Sequence, residues 1–166
     1  LTLAGSQFDQ LYRAHAANAF RRARRLLGSD ADAHEVVHDV FLSLFERVEQ
    51  CSGHSSMNTF LYSAVTHACL NRIRDQKNRS RLLALHASSV PQPAAALAPA
   101  DQLALLRALL ERIPEPLGQV AVYYYMDELS QSEIARVMGC SRRHIGDLLE
   151  RLGLWVDQQE RTACGS

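Results

Sequence analysis

The sequence predicts an all-α protein of two small helical domains joined by a flexible linker. Three observations carry that expectation. Apolar residues recur at spacings of three and four along most of the 166 residues, and strand-like alternation is nearly absent. A proline- and alanine-rich stretch, SSVPQPAAALAPA at Ser88–Ala100, interrupts the pattern and has no large side chains to bury. The segment LSQSEIARVMGCSRRHIGDLLERL carries the cap, turn and core residues of two closely crossing helices. With 47% apolar and 22% charged residues the chain should bury a core rather than stay disordered.

In order along the chain, a first helix is expected from Ser6 to Leu27, closed by Gly28 in a left-handed conformation. Ser29 or Asp30 can cap the next helix. Its apolar residues Val36, Val37, Val40, Phe41, Leu44, Phe45 and Val48 form one stripe, opposite an acidic face of Glu35, Asp39 and Glu46. Cys51–Met57 reads as a polar loop. A long helix then runs from about Asn58 into the eighties, and its second half carries Arg72, Arg74, Lys77, Arg79 and Arg81, broken only by Asp75. Beyond the linker, Asp101 caps a helix through Arg112. Pro114 and Pro116 break it before another helix that reaches Met126. Two short helices, Gln131–Met138 and Arg142–Leu152, complete the pattern. The expected division is therefore a first domain at 6–87, a linker at 88–100, a second domain at 101–152 and a tail at 153–166, with Trp155 packing back onto the second domain.

The second domain contains the sharpest motif. Ser130 and Glu133 form a capping box, Ala135 is small where two helices must cross, and Gly139 supplies the positive φ of a tight turn. Ser141 can cap the second helix, and Ile145 and Leu148 face the core. These intervals satisfy a helix-turn-helix and leave Arg142, Arg143, His144, Asp147 and Arg151 outward, the first three at the helix start that would enter a major groove. Arg142 and Arg143 can hold phosphates or read bases. Asp147 and Glu150 oppose DNA electrostatically.

A formal net charge of zero argues at first against a nucleic-acid partner, but the distribution argues for one. Eleven of the 18 basic residues lie in the first 90 positions against eight acids, and clustering, not the total, makes an electrostatic footprint. No window holds the ~18 unbroken apolar residues of a membrane span, so no membrane insertion is expected. Leu1–Gln10 lacks a secretory pattern, which makes the cytoplasm the default compartment. Cys51, Cys69, Cys140 and Cys164 form no CxxC pair and no zinc-finger spacing. His34-Glu35-Val36-Val37-His38 matches the HExxH pattern of zinc peptidases, in which two His at i and i+4 bind the metal beside a Glu base. No metzincin continuation follows: Phe41 stands at the third position after His38, where Gly is needed. Cys51 with His54, and His67 with Cys69, read as incidental pairs rather than metal ligands. No enzyme and no cofactor are expected.

The stretches FDQLYRAHAANAFRRARRLLG, DADAHEVVHDVFLSLFERV and MNTFLYSAVTHACLNRIRDQKNR resemble region two of the extracytoplasmic-function (ECF, group 4) class of sigma-70 family RNA polymerase sigma factors. LRALLERIPEPLGQVAVYYYMDELSQSEIARVMGCSRRHIGDLLERL resembles their region four. The resemblance spans about Phe8 to Leu152, with no region-three domain fitting between, and it covers the HExxH stretch as well. It implies a promoter-reading subunit, not an enzyme. Asp32, Glu35, His38 and Asp39 would dock on the clamp of the polymerase largest subunit, and an acidic face suits a basic partner. Residues 51–58 would shape a pocket for a flipped base of the −10 element. Asn58, Tyr62, His67, Asn71, Arg72, Arg74, Lys77 and Arg79 would hold the opened strand. Ser141, Arg142, Arg143, His144, Asp147 and Arg151 would read the −35 duplex, with region four on the polymerase flap. An anti-sigma factor is an expected further partner, by family analogy alone.

The chain departs from the family wording in four places. His38 replaces a frequent Gln in the clamp-facing helix, and His67 replaces a frequent Asn in the −10 helix. Glu128 stands where Gly is frequent, and the recognition helix reads SRRHIGDLLERL. These changes bear on promoter sequence. The competing reading is a helix-turn-helix regulator that binds duplex DNA without polymerase, needing only residues 101–152.

Overall fold

A computed structural model describes residues 5–47, 56–86 and 107–164. Of the loop expected at Cys51–Met57, residues 51–55 lie outside the described residues, as do the linker at 88–100 and the cap at Asp101, while Met57 already belongs to the long helix. All regular structure among the described residues is helical. The helices are α1 (Gly5–Leu27), α2 (Asp30–Arg47), α3 (Met57–His86), α4 (Leu117–Ala121), α5 (Gln131–Met138) and α6 (Arg142–Cys164). Residues 107–110 are helical ahead of α4, and a π-helical stretch, Val122–Met126, extends α4. The described residues gather into two compact units, one of Leu1–Ser52 with Ala64–Arg112 and the other of Gly53–Ser63 with Ile113–Ser166. The long helix α3 therefore gives its first turns to the second unit and the rest to the first.

In the first unit, α1 and α2 form an antiparallel-type pair made possible by small residues on α1. Ala19, Ala23 and Leu26 are buried against an α2 stripe of Ala33, Val36, Val37, Val40, Phe41 and Leu44. Fully burying each larger side chain of that stripe contributes about 1.5–3 kcal/mol. At the far end of the pair, Phe8 and Tyr12 meet Phe41 and Phe45 edge-on, with Tyr12 and Phe41 centroids 4.9 Å apart. On α3 the buried residues Val65, Thr66, Cys69, Leu70 and Ile73 lie on one helical face. Among the described residues Thr66 is the one polar residue in the buried set, and Arg22 of α1 donates to its hydroxyl at 3.1 Å. That bond satisfies a group that would otherwise be costly to bury.

The caps follow local chemistry. Gly28 ends α1 at φ 70, and Ser29, not Asp30, caps α2 by accepting from the Asp32 N–H at 3.2 Å. Ser56 caps α3 through the Thr59 N–H at 3.3 Å. The Arg107 guanidinium lies over Gly28, where a Cβ would stand, and its Nε donates to the Leu26 carbonyl at 2.9 Å. A carbonyl left open at the C-terminus of α1 thus gains a cationic partner.

The second unit packs Ile113, Leu117, Val120, Val122 and Tyr123 with Ile134, Ala135, Ile145, Leu148 and Leu152. Pro114 and Pro116 break the helical path as expected before α4 begins at Leu117. The last helix differs from expectation. It does not stop at Leu152 but continues through Gly153 to Cys164. Glycine ends a helix when it takes a positive φ, and among the described glycines only Gly28 and Gly139 do so. Gly153 stays helical, and Trp155 is half-buried on this extension while Leu154 and Val156 are exposed.

Gly28→Ala should cost about 1–2 kcal/mol in urea melts, because the left-handed φ strains any Cβ and Arg107 must leave its seat. Gly153→Ala, with open space around it, should instead raise stability by about 0.5–1 kcal/mol.

Candidate nucleic-acid interface

The helix-turn-helix is assembled from local interactions that the sequence announces. Ser130 Oγ accepts from the Glu133 N–H at 3.3 Å, and the Glu133 carboxylate accepts from the Ser130 N–H at 2.8 Å and from its hydroxyl at 2.7 Å. Both halves of the capping box are thus closed. The Ser130 hydroxyl, followed by its backbone N–H, holds the Glu133 carboxyl below the usual glutamate range. At the other end of α5, Gly139 takes φ 66 and its N–H donates to the Ala135 carbonyl. The Cys140 N–H reaches the same carbonyl at 3.0 Å, so the turn closes within three residues. Burial raises the Cys140 thiol above its usual range. Ser141 then caps α6 by accepting from the His144 N–H at 3.2 Å.

Just before this motif, Glu128 adopts φ 54. That left-handed conformation is the physical reason a glycine suits the position. The neighbouring Leu129 N–H donates to the Tyr123 carbonyl at 3.0 Å and fixes the approach to α5.

Burial of Ile145, Leu148 and Leu152 sets the rotation of α6 and leaves its other face outward. Ser141, Arg142, Arg143, His144, Asp147 and Arg151 are all exposed. Two arginines at a helix N-terminus add their charge to the positive end of the helix dipole, which suits a phosphate backbone.

The first unit presents a second charged surface. On α2, Glu35, His38 and Asp39 are exposed, with His38 Nδ1 3.7 Å from the Asp39 carboxylate, and Asp32 is half-buried. On its part of α3, His67, Asn71 and Arg79 are exposed and Arg74 and Lys77 half-buried; Asn58 is exposed too, but in the segment of α3 that groups with the second unit. Arg74 donates to the Asn71 side-chain oxygen at 3.3 Å, and Asn71 Nδ2 lies 3.4 Å from His67 Nδ1. These three therefore form a polar ladder along one face of α3.

Two expected strand-contacting residues are held elsewhere. Arg72 forms ion pairs across helices with the carboxylates of Asp32, its Nε 3.4 Å away without a hydrogen bond, and Glu35. The sequence assigned these residues to two different surfaces, and the fold joins them. Tyr62 lies in the second unit, where its ring stacks on Tyr123 at 5.5 Å between centroids and its hydroxyl donates to Asp127. Beside it, Leu61 is buried and Phe60 half-buried.

Sequence reasoning missed Arg22, Arg107, Tyr123 and Asp127 as organising residues. A threonine inside the apolar stripe of α3 was the available signal for Arg22, because a buried hydroxyl needs a partner. The others are joined to their partners across long sequence separations and leave no local mark. Cys69 is fully buried, which pushes its thiol up to about 12 despite the opposing charge of Arg22. The His34 ring of the HExxH match packs on Phe20 with centroids 4.3 Å apart. Among the described residues no three His, Cys, Asp or Glu side chains converge as a metal site, and no helix is long and apolar enough to cross a membrane.

Comparison with known proteins adds the family context. Residues 11–79, somewhat under half of the chain, match the family described as sigma-70 region 2. The chain is 27% identical over 152 residues to the RNA polymerase sigma factor YlaC of Bacillus subtilis, covering 89% of this chain and 86% of that protein. It is 28% identical over 132 residues to the ECF RNA polymerase sigma factor SigM of Mycobacterium tuberculosis, covering 80% and 66% respectively. Against the ECF RNA polymerase sigma factor SigE of Mycolicibacterium smegmatis it is 27% identical over 139 residues, covering 80% and 53%. The chain therefore spans just under two thirds of the SigM factor and about half of the SigE factor. Among solved structures it resembles CnrH, determined in complex with the cytosolic domain of CnrY. The TM-score is 0.54 at 18% identity, over 96% of this chain and 91% of that one, which identifies a shared fold.

Three solution measurements follow from this geometry. Ser130→Ala should destabilise the second unit by about 1 kcal/mol, and Glu128→Gly should stabilise it by up to about 1 kcal/mol, both read from denaturant midpoints. Because the folded state lowers the Glu133 value, its contribution is in full force above the ordinary glutamate range. It is lost as the pH falls through the lower, folded-state value, so Glu133→Gln should flatten the acid limb of the stability profile. Cys69 should resist alkylation at pH 8 until the protein unfolds, since burial holds it as the neutral thiol.

Proposed function

We infer that the chain belongs to the sigma-70 family of RNA polymerase sigma factors, in the extracytoplasmic-function class, and that it directs promoter-specific initiation by core RNA polymerase. One observation carries the reading. A segment matching sigma-70 region 2 and a complete helix-turn-helix stand in the same chain, in that order. The sigma factors named among its relatives support it. A lone duplex-binding regulator would need only residues 101–152 and would use the first 90 as a sensing or dimerising module, which leaves the match to sigma-70 region 2 unexplained.

The finer assignment is to group 4, the smallest sigma class. The stretch between residues 87 and 106 is too short for a further folded domain, which usually needs at least about 40 residues. Residues 6–87 form the region-two domain, 88–100 the linker, 101–152 the region-four domain and 153–166 a tail. Asp32, Glu35, His38 and Asp39 offer an acidic face to the basic clamp of the largest subunit. The outward face of α3 from His67 through Asn71 and Arg74 to Lys77 and Arg79 takes the opened −10 strand, while Tyr62 is engaged with Tyr123 and Asp127. A flipped base costs a few kcal/mol to extract, and stacking with cationic contacts offsets that cost. The N-terminus of α6 reads the −35 duplex through Ser141, Arg142, Arg143 and His144, flanked by Asp147 and Arg151, while region four rests on the flap. No step forms or breaks a covalent bond in this chain, so no cofactor is required of it.

The protein acts in the cytoplasm, where the polymerase is. An anti-sigma partner occupies its clamp- and DNA-facing surfaces when transcription is not required. Support for such a partner comes from CnrH, whose structure was determined with the cytosolic domain of CnrY.

The test is direct. The purified protein at micromolar concentration should co-elute with bare core polymerase and support run-off transcription from a subset of a promoter library. Arg142→Ala with Arg143→Ala should lower −35-dependent initiation roughly tenfold or more while leaving core affinity unchanged. DNA binding without core, together with no complex with core, would falsify the sigma reading in favour of a stand-alone regulator.

A further inference from the structure

The sequence assigns Asp32 and Glu35 to one surface and Arg72 to another, yet the folded chain joins them in one ion cluster. Arg72 reaches from α3 to both carboxylates on α2. Its side chain keeps 25% of its exposure and that of Asp32 28%, while Glu35 remains 63% exposed. The arginine is thus withdrawn from the solvent-facing side of α3, and its charge is spent on two acids of the same molecule. Neighbouring cations on α3 are placed differently. Arg79 and Arg81 are exposed, and Arg74 turns along its own helix to Asn71.

We propose that Arg72 is a positioning residue and not a strand contact. It sets the register of α3 on α2, so that the polymerase-facing acids and the strand-facing cations are presented together. The proposal rests on the sigma reading above. A planar guanidinium can engage two carboxylates at once, which a single ammonium does poorly, so the cross-helix tie depends on arginine itself. A second, part-buried tie, Arg22 to Thr66, lies six residues earlier on α3. The two together fix the helix at two points along its length, against α1 and against α2. Docking of a basic clamp on the exposed Glu35 then bears on the same cluster that orients the −10 helix. Core binding and strand capture are thereby coupled through one side chain.

The test is a double-mutant cycle on the full-length protein bound to saturating core polymerase, with promoter opening read by permanganate reactivity of unpaired thymines. Arg72→Met is introduced into the wild type and into Asp32→Asn/Glu35→Gln. If Arg72 acts through the two acids, it should lower opening about tenfold in the wild type and by less than about twofold in the neutralised background. Equal losses in both backgrounds, or no loss in either, would overturn the proposal, because a phosphate contact ignores the acids. Arg72→Lys gives an independent answer should Arg72→Met fold poorly. The positioning role expects a loss close to that of Met, and opening near the wild-type level would refute it. Failure of the wild type itself to bind core would instead remove the sigma reading on which the proposal stands.

Discussion

Each helix of this chain buries one narrow apolar stripe, and that burial decides which side chains remain for partners. On α2 the stripe from Ala33 to Leu44 turns Glu35, His38 and Asp39 outward. On α6 the burial of Ile145, Leu148 and Leu152 points Arg142, Arg143 and His144 away from the core. A shift of one residue in either stripe would rotate the helix by about 100° and carry the charges to another side. Which side chains face outward is therefore in the first place a consequence of packing.

Charge is used in two distinct ways. At the start of α6, two arginines stand free beside a helix N-terminus, an arrangement suited to a polyanion that arrives from outside. Elsewhere Arg72 of α3 is turned inward to the acids of α2, Arg22 of α1 is turned inward to Thr66, and Arg107 covers the end of α1 at Leu26. Part-buried cations with defined partners organise the fold, whereas exposed ones add little to stability. A chain with no net charge can thus carry local fields strong enough for docking.

The helix-turn-helix owes its precision to short-range chemistry. Ser130, Glu133, Gly139 and Ser141 each satisfy a backbone group that a helix end leaves open, or a φ that other residues avoid. Glu128 is the one strained position in this segment, and it marks where the chain departs from the family's preferred glycine. The continuation of α6 to Cys164 adds a helical extension with Leu154 and Val156 exposed beyond the recognition turns.

Caps, stripes and the helix-turn-helix were legible in the sequence because they depend on residues within four positions of one another. Ser130 with Glu133, Gly139 before Ser141, and each step of the apolar run from Val36 to Leu44 fall within that range. The extent of α6 was misjudged because a glycine halts a helix only when its φ turns positive, and Gly153 gives no local sign of which state it takes. What the tertiary structure alone decided is pairing across distance: Arg72 with Asp32 and Glu35, Arg22 with Thr66, Tyr62 with Tyr123 and Asp127, and Arg107 over Gly28. A long side chain on one helix can reach several neighbours, and which neighbour it meets is set by the crossing of whole helices. Sequence spacing within any one of them does not record that crossing.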